Sequence, residues 1–139
     1  MSERILVAYD GSPAAERALR HAAALVGDGE VVLLRVLPAI VPADLSPREL
    51  DAEEVALEEA ELEQARERVA ALGVRVRTLP VVGDAFADAA TAIIETAEAC
   101  GATVIALGTH HRGPIGRLVH GSVSSRVSHE AHCDVLVVR

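Results

Sequence analysis

Lysine and tryptophan are absent from this 139-residue chain, and its only aromatic rings outside histidine belong to Tyr9 and Phe86. All 13 basic residues are therefore arginines, set against 21 acidic residues for a formal net charge of -8. Without lysine there is no Schiff-base chemistry and no P-loop lysine to reach a triphosphate. An acidic chain without an aromatic stacking platform is a poor nucleic-acid binder, so no nucleic-acid partner is expected. No apolar run approaches the ~20 residues that cross a bilayer, and Met1-Ser2-Glu3-Arg4 leads directly into a strand-like segment rather than a signal peptide. No membrane association is expected. The two cysteines, Cys100 and Cys133, lack CxxC spacing, which fits a reduced, cytoplasmic setting. Half of the residues are hydrophobic, so the core must be built from Val, Leu, Ile and Ala. The length suits one domain over 1–139 with a single core.

What is present is a regular alternation. Residues 4–10 form a short apolar run suited to a strand buried on both faces. Ser12-Pro13 supplies a capping hydroxyl and a proline at the first helical position. Ala15, Ala18, Leu19, Ala22, Ala23 and Val26 follow at helical spacing, and Gly27 stops the helix. Residues 31–37 read as a second strand. Ser46-Pro47-Arg48-Glu49 is a capping box for a helix to about Leu72, with an apolar stripe of Val55, Leu62, Ala65, Val69 and Leu72 and a stop at Gly73. Ten acidic residues fall between Asp44 and Glu67, and this acidic helix face is expected to be solvated surface. A third strand over 74–82, a helix from Gly83-Asp84 through Ile93, Ile94 and Ala97, and a fourth strand over 103–107 come next. Gly121-Ser122 opens a last helix, and Asp134 to Val138 is a fifth strand. Five apolar strands alternating with four helices predict an α/β sandwich with a parallel sheet and right-handed crossovers.

In such a sheet, ligands sit beyond the carboxyl ends of the strands, where the strand order reverses. The segments at issue are Asp10-Gly11-Ser12, Val36-Leu37-Pro38 and Gly108 to Ser122. The last is the most distinctive: a glycine leaves a strand, a glycine-containing excursion follows, and Gly121-Ser122 opens a helix. Unpaired N–H groups at a helix start favour an anion, Ser122 adds a hydroxyl, and Arg112 and Arg117 supply charge. The same residues also suit a plain helix cap on a long connection. Around this loop the chain is uneven: Gly108 to His132 holds three Arg and five His against Glu130 alone.

The strand and helix order, the opening Ile-Leu-Val-Ala-Tyr-Asp-Gly-Ser, the closing Cys-Asp-Val-Leu-Val-Val and the Gly108 loop together resemble the universal stress protein family over essentially the whole chain. The resemblance implies a three-layer fold, Rossmann-like and similar to the adenine nucleotide alpha-hydrolases, with strand order 3-2-1-4-5. It implies a cytoplasmic stress-response binding or signalling module that is not an enzyme. Nucleotide-binding members carry glycine, two residues, glycine, nine residues, then glycine and Ser or Thr. On this chain the first glycine is Gly108 and the final pair Gly121-Ser122, but the middle glycine is replaced by His111. The resemblance places Asp10 and the Val36 backbone at adenosine, and Gly108 at the ribose. Gly121 and Ser122, with His111 or Arg112, would hold the phosphates of ATP or AMP, with Mg²⁺ arriving only with ATP. His111 either blocks the triphosphate or donates to a phosphate oxygen, so a homodimeric scaffold that binds no ATP is the alternative. The resemblance also implies a homodimer through the last strand, residues Val135, Leu136, Val137 and Val138.

Competing chemistry is weaker. His110, His111, His120, His129, His132 and Cys133 cluster in sequence, but without HExxH or paired CxxC spacing no metal site is expected. Cys133 is expected to be buried, and no Gly-x-Ser-x-Gly elbow is present for nucleophilic catalysis.

Overall fold

The computed structural model describes residues 2–37, 52–83, 89–109 and 123–139. Its elements run β1 (Arg4–Ala8), α1 (Pro13–Leu25), β2 (Glu30–Leu34), β3 (Val36–Leu37), α2 (Ala52–Ala70), β4 (Arg75–Thr78), β5 (Val82–Gly83), α3 (Ala89–Cys100) and β6 (Val104–Gly108). A helical stretch over 123–130, α4, and β7 (Asp134–Val138) complete the chain. Five strands form one parallel sheet in the order β4-β2-β1-β6-β7, which is the expected 3-2-1-4-5 order of the principal strands.

The central strands are apolar on both faces because both are covered. One face packs Ile5, Val7, Val31, Leu33 and Ala106 against Ala15, Ala18, Leu19 and Ala22 of α1 and Leu62, Ala65 and Val69 of α2. The other packs Leu6, Val32, Leu34, Ile105 and Leu107 against Ala90, Ile93 and Ala97 of α3 and Val127 of α4. Each fully buried Leu, Ile or Val is worth about 1.5–3 kcal/mol, so the aliphatic core holds the sheet without large rings. The alanines of α1 matter by being small: they let that helix lie close to the sheet. Gly27, Gly73 and Gly101 follow α1, α2 and α3 with φ of +55°, +82° and +69°, the left-handed turn that ends a helix.

Three expectations need correction. The strand expected over 31–37 breaks at Arg35, whose side chain leaves the core to pair with Glu58 on α2 (Nε to Oε2 2.8 Å). Val36 and Leu37 then join a separate two-stranded parallel ladder with Val82 and Gly83, so the third strand expected over 74–82 is also split. Leu72, expected on the α2 stripe, is exposed, because α2 ends at Ala70 and Leu72 lies in the turn beyond the helical repeat. The capping box at Ser46 to Glu49 lies outside the described residues.

Candidate functional site

β1 is hydrogen-bonded to β2 on one side and to β6 on the other. The helices that follow β1 and β2 cover one face of the sheet, and those that flank β6 cover the opposite face. Strand order therefore reverses between β1 and β6, and their carboxyl ends open a crevice. Asp10 and Gly108 stand at those two ends, and Val36 lies just beyond the end of β2. Val36 occupies β3, in register with Val82, with its side chain packed toward the α3 and α4 face.

The turn after β1 is set by local chemistry. Asp10 Oδ1 accepts the Ser12 N–H (3.0 Å), and the Ser12 hydroxyl caps α1 by accepting the Ala15 N–H (3.1 Å). Between them Gly11 has φ of +78°, a conformation in which a side chain is strained. Gly11 is also covered: a Cβ there would lie 2.0 Å from Oε1 of Glu61, a residue of α2. The start of α1 is thus met by the carboxylates of Asp10 and Glu61. Two carboxylates beside the positive helix end make this turn better suited to hydrogen-bond donors than to a further anion.

Next to the turn, the buried Tyr9 ring carries its hydroxyl into a partly exposed polar network. The Tyr9 hydroxyl donates to Glu16 Oε2 (2.8 Å), and Arg68 Nη2 donates to both the Tyr9 hydroxyl and Glu16 Oε2 (3.0 Å each). Burial, and then the bond to Glu16, push the Tyr9 phenol up to about 12. The same network joins the residue after β1 to α1 and α2.

Gly108 has a steric reason to be glycine that owes nothing to a ligand. A Cβ there would lie 2.5 Å from the Ala14 carbonyl carbon, 2.7 Å from Ala14 Cβ and 2.7 Å from the Ala15 nitrogen. The end of β6 therefore presses against the first turn of α1. The Thr109 N–H donates to the Val138 carbonyl (2.7 Å), continuing the β6–β7 ladder.

Of the predicted site residues, the structure brings Asp10, Val36 and Gly108 to one end of the sheet. His111, Arg112, Gly121 and Ser122 lie outside the described residues. Sequence reasoning passed over Glu61, which looked like one more carboxylate on a solvated helix. A seven-residue interval places Glu61 and Arg68 on the same side of α2, and that was the available signal. In β7, Val138 is buried in the core, Val135 and Leu136 are half-buried, and Val137 is 40% exposed. Within the described residues β7 pairs only with β6.

Elsewhere, His132 Nε2 lies 3.1 Å from Glu98 Oε1 at the surface. Cys133 is half-buried rather than fully buried, and burial raises its thiol pKa, the opposite of what a nucleophile needs. Among the described residues no three His, Cys, Asp or Glu side chains stand together as a metal site, and no helix is long and apolar enough to cross a membrane.

An open parallel α/β sheet with this strand order, and a crevice between an acidic turn and a glycine-ended strand, defines a Rossmann-like α/β domain. The sequence profile of the universal stress protein family matches residues 1–139, and the chain belongs to that family. A universal stress protein of Methanocaldococcus jannaschii is 33% identical over 143 residues, covering 99% of this chain and 82% of that protein. A solved structure from the same family, from Burkholderia pseudomallei, is 28% identical with a TM-score of 0.75, covering 98% of this chain and 95% of the other. The universal stress protein from Archaeoglobus fulgidus in complex with dAMP shares the fold at 21% identity and a TM-score of 0.73, covering 100% and 98%.

Proposed function

We propose that this chain is a non-catalytic stress-response module that binds an adenine nucleotide, ATP or AMP, in the crevice at the carboxyl end of the sheet. One observation carries the reading. Asp10, Val36 and Gly108, matched to adenosine and ribose contacts by family pattern, come from three separate segments, and Asp10 and Gly108 flank the topological switch point. The polarity of the crevice supports a direction for the ligand. Carboxylates at the α1 turn suit the donor groups of a nucleoside, so the phosphates belong away from that turn; the family pattern assigns them to Gly121, Ser122, Arg112 and His111. Mg²⁺ would come with ATP, held by phosphates and water. The dAMP complex of the Archaeoglobus relative supports the ligand class. His111 in place of the middle glycine supports the second reading, a scaffold with an unoccupied pocket.

The protein is further read as a cytoplasmic homodimer paired through β7, with Val137 as the exposed apolar group that a partner strand would cover. Val137→Lys should convert it to monomer in sedimentation, and an unchanged mass would sink this interface. For the ligand, a thermal-shift titration with Mg-ATP, Mg-ADP and AMP decides. Ligand at a hundred times Kd adds about 2.7 kcal/mol, which raises Tm by roughly 6–15 °C in a domain of this size. No shift with any of the three at millimolar concentration leaves the scaffold reading.

A further inference from the structure

We propose that Glu61 is a specificity-determining residue of the crevice: it selects adenosine 5′-phosphates with free ribose hydroxyls and rejects those phosphorylated on the ribose 2′ or 3′ oxygen. The inference rests on the nucleotide reading above and concerns a residue that the family motif does not include.

The side of α2 that faces α1 carries Glu61 and Arg68. Arg68 is committed to Glu16 and Tyr9, and Arg35 is committed to Glu58. Glu61 makes no hydrogen bond or ion pair with any described residue, yet its Oε1 lies against Gly11, only 2.0 Å from where a Cβ would be. It is an exposed anionic acceptor that lies against the α1 turn with its hydrogen-bonding capacity unspent among the described residues. Gly108, the ribose position, touches Ala14 and Ala15 in the first turn of the same helix. A ribose over Gly108 therefore lies beside the Gly11 turn, within the field of both Asp10 and Glu61.

A free 2′ or 3′ hydroxyl donates to a carboxylate, and a charge-assisted bond of that kind is about twice as strong as a neutral one. A phosphate on the same oxygen removes the donor and brings a second anion toward two carboxylates. The nearby described arginines, Arg35 and Arg68, already have partners, so nothing in the described turn offsets the repulsion. Like charges at partly exposed separations near a protein surface differ by enough to change affinity roughly tenfold.

The test is calorimetric titration of the full chain with AMP and with adenosine 3′,5′-bisphosphate, for the wild type and Glu61→Gln. The wild type should bind AMP at least about tenfold more tightly than the bisphosphate. Glu61→Gln, which keeps the shape and removes the charge, should narrow that ratio several-fold, and added salt should narrow it in the wild type. Equal binding of the two ligands by the wild type overturns the inference while leaving nucleotide binding intact. So does a ratio that Glu61→Gln does not change. Failure of AMP itself to bind removes the nucleotide reading, and this inference with it.

Discussion

At the amino end of the sheet Arg4 ties neighbouring elements together with charge. Its backbone N–H donates to Thr103 Oγ1 (3.0 Å), its Nη1 donates to the Cys100 carbonyl (2.6 Å), and its Nε lies 3.4 Å from Glu30 Oε1. Arg77 on the edge strand reaches the same Glu30 oxygen at 2.8 Å. At the carboxyl end the closest approaches are made by residues without side chains, Gly11 under Glu61 and Gly108 against Ala14. One end is fastened by side-chain hydrogen bonds and ion pairs. At the other, Gly108 brings the end of β6 against the first turn of α1, and the carboxylate of Glu61 makes no hydrogen bond or ion pair with a described residue. A ligand needs unspent groups, and Glu61 at the second end is one.

Matched glycine substitutions put the largest strain on this contrast. Gly108→Ala at the carboxyl end and Gly29→Ala at the amino end both drive a Cβ into backbone; at Gly29 it would lie 1.8 Å from the Glu3 carbonyl oxygen. Each should cost about 2–3 kcal/mol in urea unfolding. Only Gly108→Ala should also weaken nucleotide binding at a temperature where both variants are folded. Equal loss of binding in both would erase the functional difference between the ends.

A smaller effect is expected from Tyr9→Phe, which removes the hydroxyl linking Glu16 and Arg68 below the crevice and should cost about 1 kcal/mol. It also carries a pH signature. Folding raises the phenol from 10.0 to about 12, so its contribution is complete below about pH 10 and is lost as pH climbs through 12. Chemical denaturation between pH 9 and 12 should show a declining stability in the wild type that is shallower in Tyr9→Phe. Parallel curves would mean that the hydroxyl titrates alike in folded and unfolded chains.

The smallest change is expected at the amino end. Glu30→Gln weakens the pairs with Arg4 and Arg77, which are partly exposed, and should cost about 0.5–1 kcal/mol, less in high salt. Nucleotide affinity should not move. A change in affinity would show that the fastened end reaches the crevice.

Much of this was legible in the chain. The apolar runs at 4–10, 103–107 and 134–138 marked strands, and Gly27, Gly73 and Gly101 marked the helix ends, because both signals are local. The break at Arg35 was less legible. A single arginine in an apolar run does not say whether it reaches solvent or a carboxylate on a later helix, and here it meets Glu58. The short ladder of Val36–Leu37 with Val82–Gly83 joins residues 46 positions apart in register, which no local pattern encodes.

The sequence by itself determined the class of the fold, the family and the positions of Asp10, Val36 and Gly108 in its pattern, since alternation of apolar runs and turn residues is written along the chain. Only the tertiary structure decided that Gly108 is glycine because α1 presses against it. The same holds for Tyr9, Glu16 and Arg68 closing one network, and for Glu61, alone among the α2 carboxylates, leaning on the Gly11 turn. Those facts depend on how α1 and α2 pack on the same face of the sheet. Contacts between distant segments are set by that packing rather than by spacing.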